Sequence, residues 1–158
     1  MLKINKNYIY LTIWILSFIL IGAIIGSITK SGVNIWYVTI NKSPLTPPNY
    51  LFGVVWSILY TMIAISGWAI WHGKYKKIRQ LKTLYIVQLI FNWAWSPIFF
   101  TYHLTGLALI WIFLIIGMVF FIILKTYKKL KLISLLFIPY FLWLSFAAYL
   151  NFYIWLYN

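Results

Sequence analysis

Residues Leu132–Leu156 read LISLLFIPYFLWLSFAAYLNFYIWL, 25 consecutive residues without a charge. At about 1.5 Å rise per residue, a helix of this length crosses the roughly 30 Å hydrocarbon core of a bilayer with residues to spare. Within it Tyr140, Trp143, Ala147 and Asn151 follow at helical spacing and share one face. A stripe of Tyr, Trp, a small residue and Asn is costly to show to lipid, which offers no partner to the amide or the ring N–H. The stripe predicts one wall of a buried, aromatic-lined pocket, with the other apolar segments as the remaining walls.

The rest of the chain agrees with a membrane setting. Of its 158 residues 65% are hydrophobic and 8% charged, against roughly 25% charged in an ordinary soluble domain. A soluble domain of this size could not hide that much apolar surface, so the chain is read as an all-α integral membrane protein, a single domain over residues 1–158. It contains no Asp, Glu or Cys. That excludes a carboxylate pair for acid–base work, a carboxylate site for a hard metal ion, a carboxylate proton relay and a thiolate ligand or nucleophile.

Charge-free runs cover residues 7–29, 43–73, 83–124 and 132–158. The third is about two spans long, and Pro97, Thr101-Tyr102-His103 and Gly106 mark a hairpin inside it. Five transmembrane helices follow, over about 8–28, 48–72, 83–101, 105–124 and 132–156. Gly22 and Gly26 form a GxxxG in the first, suited to close packing within the bundle or between subunits. The connection over 29–47 is the longest and carries Trp36 and Tyr37, a composition that suits a lid. Thr46 is expected to cap helix 2, with Pro47 at its first position.

The basic residues gather at one end. Lys3, Lys6, Lys74, Lys76, Lys77, Arg79, Lys82, Lys125, Lys128, Lys129 and Lys131 share the amino-terminal side; Lys30 and Lys42 lie opposite. The positive-inside rule then puts the N-terminus in the cytoplasm and the C-terminus outside. The excess is read as orientation and attraction to membrane lipid rather than nucleic-acid binding.

Candidate site residues lie on three helices and the lid. Gln88, Asn92 and Ser96 form a polar ridge on helix 3 with Trp95 beside it, and such a ridge should face inward. Pro97 frees a carbonyl one turn earlier and should kink the helix. Trp56 and Tyr60 sit one turn apart on helix 2. Trp143 lies mid-span, where its N–H needs an acceptor such as Asn92, Asn151 or a ligand. Of the two histidines, only His103 stands near the lid, and no metal site is expected.

These residues resemble the tryptophan-rich sensory protein family (TspO/MBR), also called the translocator protein or peripheral-type benzodiazepine receptor family. The resemblance rests on Trp36-Tyr37; on Lys42 to Pro48 leading into Phe52, Trp56, Leu59 and Tyr60; on Gln88, Asn92, Trp95, Ser96, Pro97, Phe99 and Phe100; and on Pro139, Tyr140, Trp143, Ala147, Leu150 and Asn151. It implies a five-helix bundle, commonly a homodimer, with a pocket open toward the lid. Family members bind porphyrins and related tetrapyrroles, sterol-like lipids and benzodiazepine-type drugs. The family pattern Lys-Pro-x-Trp-x-Pro-Pro is here Lys42-Ser43-Pro44-Leu45-Thr46-Pro47-Pro48, and the Arg of the animal sterol motif is Leu156.

The expectation is a receptor or sensor that binds porphyrins or other apolar ligands, with Trp36, Tyr37, Trp56, Tyr60, Gln88, Asn92, Trp95, Tyr140, Trp143, Ala147 and Asn151 as binding residues. Lys30 or Lys42 would meet propionates at the mouth. A porphyrin would be ligand or substrate, and no resident cofactor is expected. The alternatives are a light-dependent porphyrin-degrading enzyme, for which the resemblance implicates Trp56 and Trp143, and a facilitator of tetrapyrrole or lipid transport.

Overall fold

The computed structural model describes residues 6–73 and 78–158. Lys3, Lys74, Lys76 and Lys77 of the basic group lie outside them. The chain forms α1 (Lys6–Ser31), α2 (Asn49–His72), α3 (Ile78–Ser96), α4 (Thr105–Thr126) and α5 (Lys131–Tyr157). α1 runs directly into a π-helical turn, Gly32–Trp36, and α3 into a second, Pro97–Thr101. Five helical spans are long and apolar enough to cross a membrane, and no strand occurs among the described residues.

The helices close a ring in which α1 packs on α2, α2 on α5, α5 on α4, α4 on α3 and the second π-turn back on α1. One half of the bundle is solid. Ile63 and Ile70 of α2, Leu81 and Tyr85 of α3, Val119 and Ile122 of α4, and Ile133 and Phe137 of α5 fill it, all buried. Tyr85 donates to the Ile63 carbonyl at 2.8 Å, closing α2 onto α3. Gly67 makes room for that phenol, since a Cβ there would meet Tyr85 Cζ at 2.6 Å. The other half, between the two π-turns and this core, is hollow.

Two expected boundaries move. Helix 1 does not stop at 28: it continues through Ser31 and the π-turn to Trp36, so the lid shrinks from 29–47 to the segment between Trp36 and Asn49. Lys30 reads as a break in the apolar run, but it is exposed and can extend its stem toward the interface from within the helix. Gly32 reads as a loop residue and is instead a packing residue. A Cβ on it would collide with the Phe100 carbonyl, so its absence is what lets the two π-turns touch. Helix 3 is already formed at Ile78 rather than 83, because its charged residues are tolerated at the bundle end, where Lys82 lies 5.2 Å over the Trp71 ring.

Thr46 does not cap helix 2. The N-cap is Pro48, with no side-chain cap bond, and the Thr46 hydroxyl is buried without a partner. The chain arrives extended at Pro48 (φ −56°, ψ 145°), and Thr46 lies two residues before that cap, its backbone N–H closing a turn on the Ser43 carbonyl.

Candidate functional site

The hollow half encloses a cavity of about 400 Å³ walled by all five helices. α1 contributes Gly22, Ala23, Gly26 and Thr29; α2 contributes Phe52, Gly53, Trp56 and Tyr60; α3 and its π-turn contribute Asn92, Trp95, Phe99 and Phe100. Ile112 and Ile115 of α4 form the floor, and Trp143, Ala147, Leu150 and Asn151 of α5 form the far wall, with Tyr37 at the lid end. Small residues on α1 and α2 create the space, and aromatic residues on α2, α3 and α5 give it flat walls. No charged side chain is among the lining residues.

Of the residues singled out in the sequence, Tyr37, Trp56, Tyr60, Asn92, Trp95, Trp143, Ala147 and Asn151 line this cavity; Trp36, Gln88 and Tyr140 do not. Gln88 and Tyr140 sit behind the wall, both fully buried. They close a relay that starts at the cavity. The Tyr60 hydroxyl donates to Asn92 Oδ1 at 3.1 Å, Asn92 Nδ2 donates to the Tyr140 oxygen at 2.7 Å, and the Tyr140 hydroxyl donates to Gln88 Oε1 at 3.3 Å. Gln88 Nε2 has no partner. The relay ties α2, α3 and α5 together and fixes the Asn92 amide.

Trp36 packs outside the cavity, stacked on His103 at 4.3 Å and edge-on to Phe99 at 5.5 Å. His103 holds the left-handed φ of 56°, a conformation that His, like Asn and Asp, adopts more readily than other non-glycine residues, in the short turn before α4. Trp95 is braced as well as exposed to the cavity: its N–H donates to the Ala108 carbonyl at 3.0 Å and its ring stacks on Phe99 at 5.0 Å. Asn151 Nδ2 donates to the Thr105 carbonyl at 2.9 Å, while its Oδ1 and the Trp143 N–H are buried without partners.

The α1 wall is the part that sequence reasoning missed. Gly22, Ala23, Gly26 and Thr29 show a helical small-residue stripe, but such a stripe reads as a packing face. Only part of it packs. A Cβ at Gly22 would lie 2.6 Å from the Tyr60 ring, whereas one at Gly26 would meet nothing within 4 Å. Within the bundle, Gly22 of the GxxxG packs on the Tyr60 ring, and both glycines line the cavity.

The defining pattern of the TspO/MBR family matches residues 13–156. The chain belongs to the TspO/MBR family. It is 34% identical over 152 residues to the tryptophan-rich protein TspO of Archaeoglobus fulgidus, covering 96% of this chain and 99% of that one. It is 32% identical over 139 residues to the human translocator protein, covering 85% and 82%, and 34% identical over 142 residues to protein CrtK of Rhodobacter capsulatus, covering 84% and 83%. Membership and the five apolar spans make it an integral, multi-pass membrane protein.

In this TspO/MBR chain the lid is tied to α5. The Asn41 backbone N–H donates to Asn158 Oδ1 at 2.8 Å, Asn158 Nδ2 returns a bond to the Asn41 carbonyl at 3.0 Å, and Ser43 shares a 3.0 Å bond with the Tyr149 hydroxyl. Lys42 lies 4.9 Å from the Tyr37 ring centroid and does not line the cavity. Tyr37 is itself buried, which raises its phenol pKa and keeps the ring neutral. The double variant Tyr149→Phe/Asn158→Ala is predicted to loosen the lid with little loss of global stability. Amide exchange over residues 37–48 should rise while the α2 and α5 cores stay protected; unchanged exchange would show that these bonds do not hold the lid.

Proposed function

We propose that this protein is a membrane receptor for flat, apolar ligands of the tetrapyrrole class, bound in the five-helix cavity. The observation that carries the reading is the wall chemistry. Trp56, Trp143, Tyr60 and Phe99 offer aromatic faces, Asn92 offers a fixed amide, and no charge is present. Such a site favours a planar conjugated body through stacking and burial. The orientation that follows from the basic end, N-terminus in the cytoplasm of a bacterial cell, belongs to the same proposal.

Titration of the purified protein with protoporphyrin IX in the dark, followed by tryptophan fluorescence, tests it. Saturable quenching is expected. Trp143→Phe should weaken it about fivefold, the size of about 1 kcal/mol of lost aromatic contact. Absence of quenching at micromolar porphyrin would overturn the reading.

A second reading, light-driven porphyrin degradation, is favoured by one feature. Trp56 lies 5.4 Å from the Tyr60 ring and 6.3 Å from that of Tyr140, so oxidisable rings run from the cavity into the bundle. Illumination of the same samples in air separates the readings: loss of porphyrin absorbance that Trp56→Phe abolishes supports the enzyme, and stable absorbance supports the receptor. The human relative's name, translocator protein, suits a facilitator. A driven pump is disfavoured by the lack of any carboxylate for ion coupling.

A further inference from the structure

The relay behind the cavity wall runs in one direction. Every donor in it points away from the cavity: Tyr60 to Asn92, Asn92 to Tyr140 and Tyr140 to Gln88. The run ends at Gln88 Nε2, a donor at a wholly buried position with no partner. Its other end is at the cavity, which Tyr60 and Asn92 line. There the Tyr60 oxygen, its proton engaged by Asn92, can only accept.

The same groups can be bonded the other way. A phenol hydroxyl both donates and accepts, and an amide turned by half a rotation exchanges its carbonyl for its NH2. Asn92 Nδ2 then donates to Tyr60, Tyr140 donates to Asn92 Oδ1, and Gln88 Nε2 donates to Tyr140. Every bond of the relay is kept. Each direction leaves one donor group unpaired while the cavity is empty: the Gln88 amide in the first, the Tyr60 hydroxyl in the second. Both carry the same kind of penalty, so a ligand group at Tyr60 decides between them.

We propose that the relay reverses to suit its ligand, so that Tyr60 accepts from a ligand N–H or O–H in one direction and donates to a ligand carbonyl in the other. The inference rests on the cavity being the binding site, and it refines that reading: the ligands are flat apolar bodies that carry either a donor or an acceptor. Gln88, which does not line the cavity, is the positioning residue. It takes the Tyr140 proton through Oε1 or donates to Tyr140 through Nε2, and so keeps both directions open. Leucine there leaves only one, because the Tyr140 hydroxyl must then donate to Asn92 Oδ1, which holds the Tyr60 hydroxyl toward the cavity.

Carbazole, 9-fluorenone and fluorene share a flat tricyclic shape and offer one donor, one acceptor and neither. Their binding to the protein in nanodiscs is measured by equilibrium dialysis, corrected for uptake by empty nanodiscs. Carbazole and fluorenone are each expected to bind about fivefold more tightly than fluorene, the size of one net hydrogen bond. Gln88→Leu should abolish the carbazole preference and keep that for fluorenone; Tyr60→Phe should abolish both. The infrared carbonyl stretch of fluorenone should fall on binding to the native and Gln88→Leu proteins but not to Tyr60→Phe. A preference for only one compound in the native protein, or both preferences surviving Gln88→Leu, overturns the reversal. So do preferences that survive Tyr60→Phe, which would belong to the unpaired Trp143 N–H and Asn151 Oδ1. Equal binding of all three overturns the reversal and leaves the cavity as the site, whereas binding of none overturns the cavity as well.

Discussion

Gly32→Ala is expected to destabilise the protein by about 3 kcal/mol, the upper end of the cost of overpacking. By intrinsic helix propensity the sign should be the reverse, since Ala is favoured over Gly in a helix by up to about 1 kcal/mol. Gly32 has no positive φ that an alanine would resist. The cost arises from a single contact: the new Cβ would fall on the Phe100 carbonyl. A carbonyl in the second π-turn cannot rotate away as a side chain would. The two π-turns must separate, and with them α1 from α3. Gly26→Ala is the matched control, with nothing near its Cβ, and should be neutral or stabilising. Thermal unfolding in one detergent, followed by helical circular dichroism, measures both. Equal melting temperatures for the two variants would show that the π-turn contact is not needed for stability.

The contrast between Gly32 and Gly26 also shows what a sequence can convey here. The five spans were legible because charge-free length reports directly on a bilayer, and the α5 stripe was legible because Tyr140, Trp143, Ala147 and Asn151 combine helical spacing with chemistry that lipid does not tolerate. Asn92 was legible for the same reason. The extension of α1 through Trp36 was not. Lys30 and Gly32 carry local signals for a helix end, and what overrides them is a contact with Phe100, 68 positions away in the chain. Trp36 was placed in the pocket by the family resemblance, and in this chain it lies past the cavity, stacked on His103. The division of the polar ridge was equally hidden. Asn92 faces the cavity and Gln88 the far side of the relay, although both occupy one helical face at i and i+4, because helical phase does not tell how deep the cavity reaches. Small residues were the least informative of all. A glycine that packs on Tyr60, one that meets a carbonyl and one that borders open space look identical as letters.

The relay behind the wall supplies the second large effect, and its sign pattern is unusual. Tyr140→Phe is expected to cost about 2 kcal/mol, as two buried bonds are lost and their partners orphaned. Removal of the Tyr140 oxygen leaves Asn92 Nδ2 without its 2.7 Å partner and Gln88 Oε1 without its 3.3 Å one. Gln88 then holds a wholly unpaired amide at a fully buried position, because its Nε2 already lacks a partner. Gln88→Leu removes that amide altogether, at the price of one bond from Tyr140, and should be close to neutral or stabilising. The double variant Tyr140→Phe/Gln88→Leu should therefore recover part of the loss, since only Asn92 is then left with an orphaned donor. Chemical or thermal unfolding of the four proteins closes the cycle. Additive costs, with no recovery in the double variant, would mean that the Tyr140–Gln88 bond contributes nothing and that the relay ends at Asn92. Porphyrin titration of the same set separates folding from binding: Tyr140→Phe frees the Asn92 amide to turn and should weaken affinity, whereas Gln88→Leu leaves both Asn92 bonds intact and should not.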